Sequence, residues 1–167
     1  MPSREWLPAL VCLDQHGGDW DTYIDAVYAV FRRDFVDSRP KFRGVALGLK
    51  RLPLTDGREA TFWHMASEGE KEDERIPELR RCERIGWPRP TIEHEADPEI
   101  KVWEEHRRGN EYRVHIWLEA DDYVVVLARR RAGQPDEYVL PWTAFVVESG
   151  HYRRGLQKRF EKYRQKD

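Results

Sequence analysis

The residues best suited to chemistry in this chain are a histidine and the arginines that follow it. His64 lies near the end of an aromatic run at residues 60–65, and an acidic stretch leads from there to Arg80, Arg81 and Arg84. The imidazole of histidine titrates near neutral pH. The guanidinium group of arginine is a permanently charged fork that matches the geometry of phosphate. The combination favours chemistry on a phosphodiester, such as cleavage of RNA or handling of a nucleotide.

Cleavage of RNA can proceed without a metal ion because RNA supplies its own nucleophile, the 2′-hydroxyl. The protein takes the proton of that hydroxyl, protonates the leaving oxygen and neutralises the charge that develops. In this hypothesis His64 is the general acid or base, arginines bind the phosphate, and hydroxyl groups position it. The predicted catalytic residues are His64, Arg81, Arg84, Tyr138 and Thr143. The predicted substrate-binding residues are Arg80, Arg113, Arg153, Arg154 and Lys158.

Motifs for other chemistries are missing from the sequence. The six histidines and two cysteines do not have the spacing of metal ligands, so we expect no metal site. Gly17-Gly18 does not begin a phosphate-binding loop, and we expect no cofactor. Cys12 and Cys82 have no adjacent base, and no serine lies in a nucleophile-elbow motif.

Ordinary structural roles for the same residues stay open. His64, beside Trp63, could be a core histidine with a satisfied hydrogen bond, and the arginines could form a solvated helix face paired with Glu78 and Glu83. The alternative function is therefore a non-catalytic module of the same fold that binds protein or nucleic acid. Aromatic residues of the kind enriched at interfaces support it, namely Trp87, Trp103, Trp117 and Trp142.

Composition indicates one folded domain. The chain has 167 residues, of which 40% are hydrophobic and 12% aromatic, enough to build a core. Charged residues make up 36% with a net charge of −2, so any contact with RNA must use a local basic patch. No apolar run reaches the roughly 18 residues that span a bilayer, and the first residues lack the apolar segment of a signal peptide. We expect no membrane contact and a cytoplasmic location.

The first half of the chain predicts a strand at residues 6–13 and a helix at residues 20–36 with Asp19 or Asp21 as N-cap. A hairpin turn at Asp56-Gly57 then joins a strand at residues 42–54 to a returning strand at residues 60–65. An acidic loop at residues 67–74 follows. Pro77 begins a short helix that ends near Gly86, and residues 91–109 are read as a long loop.

The second half predicts three strands, at residues 111–119, 123–128 and 138–147, and a basic helix at residues 151–166. Pro141 makes the last strand an edge strand or a bulged one. The fold class predicted from this order is α+β, with a mainly antiparallel sheet of four to five strands and N-terminal and C-terminal helices packed on it. The single domain would comprise an N-terminal strand and helix (1–40), the sheet with an inserted short helix (41–150) and the basic helix (151–167).

Several segments resemble the phage- and mobile-element-associated nucleases of the barnase–EndoU–colicin E5/D–RelE class, and bacterial proteins loosely labelled phage P1-related. The resemblance is carried by residues 62–64, 81–92, 122–126 and 138–145, and it covers residues 20–165. It implies a small α+β fold with a four-stranded antiparallel sheet. It also implies metal-independent cleavage of RNA, often by a toxin that an antitoxin protein holds inactive.

By position, the resemblance assigns His64 to the early histidine of the class and Arg81 or Arg84 to the basic residue that follows. Thr143 matches a late serine or threonine on the last strand. Two features depart from the pattern. Pro141-Trp142 before Thr143 is unusual, and residues 93–109 have no counterpart in the class.

Overall fold

The structure, a computed structural model, describes residues 4–164 as five α-helices and eight strands, with short 3-10 turns between them. The helices are α1 (Trp20–Phe35), α2 (Ala60–Ala66), α3 (Leu79–Glu83), α4 (Pro88–Glu93) and α5 (Gly150–Tyr163). The short strands are β1 (Lys41–Phe42), β2 (Val45–Ala46), β3 (Ser67–Glu68) and β4 (Ile76–Pro77). The long strands are β5 (Lys101–Arg108), β6 (Glu111–Leu118), β7 (Tyr123–Arg130) and β8 (Tyr138–Val146).

The long strands form one antiparallel meander in the order β5-β6-β7-β8. The predicted α+β class with a mainly antiparallel sheet is confirmed, as are the three strands of the second half. Strand β7 is central and buried on both faces, since Val124 and Val125 point to opposite sides and neither is exposed. This explains why its sequence is continuously apolar rather than alternating.

Helices cover the two faces of the sheet unequally. One face packs against α1 to α4 through the larger core, to which Phe31, Phe62 and Ile116 belong. The other face packs against α5 through a smaller core around Trp117 and Leu156. Helix α1 begins where predicted, because the side chain of Asp19 accepts a hydrogen bond from the backbone N–H of Thr22 at 3.0 Å.

Strand β8 is both an edge strand and a bulged one, as Pro141 indicated. Pro141 pairs with Leu127 and Thr143 pairs with Val126, so Trp142 is the extra residue of a bulge. An edge position accommodates proline because its missing N–H is not needed on the free side. Helix α2 packs beside this strand, and the N–H of Gly48 donates to the carbonyl of Val139 at 2.8 Å.

The predicted strand at residues 60–65 is wrong, since these residues lie in helix α2. The segment is buried on nearly all sides, and a short apolar run of this kind has no period that separates a helix from a strand. The helix satisfies its own backbone groups where no partner strand is available. Its first N–H groups are met by the loop before it, because Thr61 N donates to Lys50 O at 2.9 Å.

The predicted loop at residues 91–109 is also wrong, because it contains half of α4 and all of β5. Pro88 and Pro90 lie in the first turn of α4, where a helix does not require their missing N–H groups, so they begin a helix instead of preventing one. Strand β5 pairs along β6 and supplies the buried Trp103 to the smaller core.

Three further boundaries differ from the prediction. Residues 6–12 form no strand. The predicted strand at residues 42–54 is replaced by the short hairpin of β1 and β2, because Arg43 and Gly44 turn the chain with positive φ angles. Pro77 belongs to β4, opposite Ser67, and Glu78 is the N-cap of α3. That helix ends at Glu83 with Arg84 as its C-cap, before Gly86.

A polar cluster lies within the smaller core. The rings of His115 and Trp103 stack in parallel at 4.9 Å, and Glu105 accepts hydrogen bonds from Trp103 Nε1 and from Arg159 of α5. Arg159 Nη2 also donates to His115 Nε2 at 2.9 Å. Burial lowers the pKa of His115 to about 4. The cluster links α5 to the sheet while His115 is neutral.

Candidate active site

His64 lies in α2 beside β8, the edge strand of the sheet, and three side chains bond to its backbone carbonyl. Thr143 Oγ1 on β8 donates to His64 O at 3.2 Å, and the guanidinium groups of Arg75 and Arg81 each reach the same oxygen at 3.4 Å. Arg81 Nη1 also donates to Thr143 Oγ1 at 3.2 Å. Three predicted catalytic residues, His64, Arg81 and Thr143, therefore meet at one carbonyl group. The arginine and the threonine contact the backbone of the histidine rather than its ring.

The imidazole of His64 forms no hydrogen bond with these groups; it contacts Glu72, which is also bonded to Lys50. Its Nε2 atom lies 2.6 Å from Oε1 of Glu72, and Lys50 Nζ donates to the same oxygen at 2.9 Å. Glu72 begins a 3-10 turn in the acidic segment. The side chain of His64 is 11% exposed, that of Glu72 32% and that of Lys50 40%. Solvent therefore contacts this group mainly at Glu72 and Lys50.

The protonation states follow from burial and from these contacts. Burial lowers the pKa of His64, and it prevails over the hydrogen bond to Glu72, which acts in the opposite direction. Burial raises the pKa of Glu72, but the hydrogen bonds from His64 and Lys50 more than offset this and leave it below its usual value. At neutral pH the pair is therefore a neutral imidazole beside a carboxylate. In this state Nε2 carries the proton that Glu72 accepts, and Nδ1 keeps its lone pair.

An aromatic and a cationic side chain border the imidazole. The ring of Trp142 meets the His64 ring edge to face, with 5.2 Å between centroids. The guanidinium carbon of Arg113 lies 4.2 Å from the centroid of the Trp142 ring. Arg113 Nη1 also donates to Oε1 of Glu111 at 2.5 Å. The bulge in β8 thus places a partly exposed indole between the histidine and an arginine of the sheet.

The other two predicted catalytic residues lie apart from this group. Arg84 packs over the ring of Trp87, with 5.1 Å between its guanidinium carbon and the ring centroid, and it lines a separate hollow beside Leu10 and Asp122. Tyr138 is the first residue of β8, whereas Thr143 lies near the middle of the strand. It packs against Gly48, where an added Cβ would come within 2.5 Å of the Tyr138 ring, and it lines a hollow with three arginines.

The predicted substrate-binding residues are scattered, and Arg113 is the member beside Trp142. Arg80 forms an ion pair with Glu148 at 2.8 Å, and Arg153 bonds to Asp122. Arg154 and Lys158 are exposed on α5, and neither has a carboxylate within 4.0 Å in the described part of the chain.

Glu72 and Lys50 were not predicted as site residues. The acidic segment of Glu72 reads as a solvated loop, and Lys50 lies within a stretch that reads as a strand. The one local signal was a run of carboxylates a few residues after a histidine, from which a partner for the imidazole could have been suspected. Trp142 was recognised only as an aromatic suited to an interface and as a departure from the nuclease pattern.

Among residues 4–164, no three side chains of His, Cys, Asp or Glu are grouped closely enough to hold a metal ion. None of the described helices has the length and apolar character needed to cross a membrane. Comparison of the chain with protein families, with proteins of curated function and with solved structures finds no match. The functional argument therefore depends on the geometry of the site.

Proposed function

We propose that this protein is a metal-independent endoribonuclease in which His64 is the general base and Glu72 orients it. The observation that carries the proposal is the hydrogen bond of 2.6 Å between His64 Nε2 and Glu72 Oε1, at a surface that also presents Lys50 and Trp142. A histidine held by a carboxylate in a fixed tautomer is an arrangement suited to taking a proton.

The proposed reaction begins at the 2′-hydroxyl of RNA. His64 Nδ1 takes the proton of that hydroxyl while its oxygen attacks the adjacent phosphorus. The bond from phosphorus to the 5′-oxygen of the next nucleotide breaks, and that oxygen takes up a proton from solvent. The product would end in a 2′,3′-cyclic phosphate. Glu72 stabilises the imidazolium that forms, and the ammonium group of Lys50 offsets charge on the phosphate. Arg81 and Thr143 act as positioning residues, because they hold the carbonyl of His64.

RNA would bind along the edge of the sheet formed by β8, between α2 and α5. Trp142 can stack on a base, which commonly contributes about 1–3 kcal/mol per base. Arg113 borders that indole, and Arg154 and Lys158 on α5, which have no carboxylate within 4.0 Å among residues 4–164, can contact the phosphate backbone. Action as a toxin with an antitoxin partner, and a cytoplasmic location, belong to the same proposal.

The experiment is incubation of RNA with purified protein in EDTA, beside a His64→Ala variant and a His106→Ala control. His106 is an exposed histidine on β5, bonded to Gly109 O. We expect fragments ending in 2′,3′-cyclic phosphate from the wild type and the control, and intact RNA with His64→Ala. Equal cleavage by a folded His64→Ala protein would remove the assignment.

A second function is favoured by one specific observation. The residue His64 is 9% exposed, and its carbonyl is held by Arg75, Arg81 and Thr143, which is the surrounding of a structural histidine. A non-catalytic module that binds RNA or a protein fits that surrounding. Retarded migration of RNA in a gel without any cleavage, in wild type and His64→Ala alike, would favour this second function over the first.

A further inference from the structure

A cleft of about 510 Å³ lies on the carbonyl side of His64, between α3, β8 and the start of α5. The residues of its lining that matter here are Glu68, Arg81, Thr143, Phe145, Glu148 and Tyr152. A volume of this size is typical of sites for small organic ligands. The proposed RNA cleavage at the imidazole does not use this cleft.

Only one of the three guanidinium nitrogens of Arg81 forms hydrogen bonds with the described part of the protein. All three of its hydrogen bonds start from Nη1, and they run to His64 O, to Ser67 O at 2.6 Å and to Thr143 Oγ1. Within residues 4–164, Nε and Nη2 of Arg81 form no hydrogen bond, and neither is a buried polar atom that lacks a partner. This edge of the fork therefore faces space that a ligand can reach.

In the neighbouring Arg75, by contrast, all three nitrogens of the guanidinium group donate hydrogen bonds within the protein. Its Nε donates to Ser67 Oγ at 3.0 Å, its Nη1 to Gly69 O at 2.7 Å and its Nη2 to Ser67 O at 2.6 Å. Arg75 and Arg81 thus share one carbonyl oxygen. Within the described chain neither has a carboxylate within 4.0 Å, so two positive charges stand together uncompensated by contact.

The acids near the cleft are largely engaged elsewhere. Glu148 is paired with Arg80 at 2.8 Å, and Glu78 accepts the N–H groups of Arg80 and Arg81 at the start of α3. Glu68 also lines the cleft, and it has no ion pair within 4.0 Å among the described residues. Its charge acts on Arg81 from farther away, and it can accept hydrogen bonds from hydroxyl or amino groups of a ligand. The interior of the cleft accordingly presents one open cationic edge.

The opposite wall of the cleft is aromatic. Phe145 and Tyr152 meet edge to face with 5.7 Å between centroids, and Tyr152 is 43% exposed. An exposed aromatic ring accepts a nucleobase by stacking, and the Nε–Nη2 edge of an arginine binds a phosphate through two parallel hydrogen bonds. The two features lie in one cleft of the right size.

We propose that this cleft binds a nucleoside monophosphate, with its phosphate on Nε and Nη2 of Arg81 and its base against Tyr152. Thr143 Oγ1 accepts a hydrogen bond from Nη1 of Arg81 and so helps to fix the guanidinium group in place. A free mononucleotide and the phosphorylated end of an RNA strand offer the same chemistry. The proposal does not depend on cleavage of RNA, because neither the imidazole of His64 nor Glu72 takes part.

Isothermal titration calorimetry in EDTA tests the site, with each of the four 5′-nucleoside monophosphates and the matching nucleosides as probes. We expect at least one monophosphate to bind at least tenfold more tightly than its nucleoside. Arg81→Lys keeps the charge but removes the fork, and we expect it to weaken that binding at least tenfold. Lys162→Gln removes an exposed charge from α5 outside the cleft and should change the affinity less than threefold.

Three outcomes would overturn the proposal. They are no binding of any monophosphate at millimolar concentration, wild-type affinity in Arg81→Lys, or an equal loss in Lys162→Gln, which would indicate a general electrostatic field instead of a contact. If Arg81→Lys does not fold, Tyr152→Ala replaces it, because Tyr152 is exposed, and unchanged affinity in that variant overturns the proposal. Competition by an RNA with a 5′-phosphate, but not by the same RNA with a 5′-hydroxyl, would identify a strand end as the ligand, and the absence of competition a free nucleotide.

Discussion

Nε2 of His64 and Oε1 of Glu72 lie 2.6 Å apart, although one residue belongs to a buried helix and the other to a 3-10 turn in an exposed acidic segment. The turn brings the carboxylate back over the helix, and Lys50 bonds to the same oxygen. Because Glu72 favours the protonated imidazole and burial disfavours it, the pair sets the pH range in which His64 can act as a base.

Replacement of the acid should shift the pH dependence of RNA cleavage. Glu72→Gln removes the carboxylate that favours protonation, so the pKa of His64 falls further below its usual value. We expect the acidic limb of the pH–rate profile to move to lower pH, while kcat falls because the imidazole is less well oriented.

His64→Asn should lower kcat/KM by about 10² to 10⁴, the usual contribution of a general base.

Profiles of kcat/KM between pH 4 and pH 8 measure the effect of Glu72→Gln. Glu74→Gln provides a matched control, since it removes a carboxylate from the same 3-10 turn and its partner, Lys71, is an exposed lysine. A Glu72→Gln profile that coincides with that of Glu74→Gln would contradict the role assigned to Glu72.

Loss of the Thr143 hydroxyl should destabilise the fold modestly. Thr143→Val keeps the shape of the side chain but removes the donor to His64 O and the acceptor for Arg81 Nη1. We expect the free energy of unfolding to fall by about 1 kcal/mol, the usual net value of such a hydrogen bond. Urea denaturation measures it, and Thr143→Ser should stay close to wild type. Equal losses in the two variants would mean that the methyl group and its packing matter rather than the hydroxyl.

The parts of the fold that sequence could predict are those with local signals. The helical spacing of Tyr23, Val27 and Phe31 and the N-cap Asp19 define α1. Alternation in β6, the continuous apolar run of β7 and the turn residues between the strands define β6 to β8. The proline in β8 correctly indicated an edge and a bulge. In each case the type of a residue and of its near neighbours in sequence is enough to predict the local structure.

The site depended on contacts between distant parts of the chain. Thr143 bonds to the carbonyl of a residue 79 positions earlier, and Arg81 bonds to Thr143 across 62 positions. Reading α2 as a strand also placed the His64 side chain by a period of two, which does not apply in a helix. Arg81 and Thr143 could thus be grouped with the histidine by type, while the choice of Glu72 and Lys50 as partners of the ring follows only from tertiary structure.

The exposed part of Trp142 should contribute to the affinity for RNA. Trp142→Ala removes the surface on which a base can stack, and we expect binding to single-stranded RNA to weaken by about 1–3 kcal/mol. Trp142→Phe keeps an aromatic ring beside Arg113 and should lose less. Fluorescence anisotropy with a labelled, non-cleavable RNA gives the dissociation constants. Trp20→Ala, at an exposed tryptophan on α1, is the control, and an equal loss there would argue against a specific platform.

Acid should destabilise the packing of α5 on the sheet through His115. Its pKa is about 4 in the folded protein, because it is buried, against about 6.5 in an unfolded chain. Glu105, 3.4 Å from Nδ1, favours protonation, whereas Arg159 and Arg107 oppose it. The unfolded chain therefore takes up the proton first as the pH falls. The free energy of unfolding should decrease from pH 6.5 to pH 4, by an amount on the order of 2–3 kcal/mol, and this contribution should be constant above that window.

Urea denaturation at several pH values tests the expectation with His115→Gln, whose amide oxygen can still accept a hydrogen bond from Arg159. This variant should lose less stability than the wild type between pH 6.5 and pH 4. His64 also has a lowered pKa and adds to the slope of both proteins, so the difference between the two curves isolates His115. The exposed His106→Gln variant should follow the wild-type curve. Parallel curves for His115→Gln and the wild type would show that protonation of His115 does not limit the acid stability of the fold.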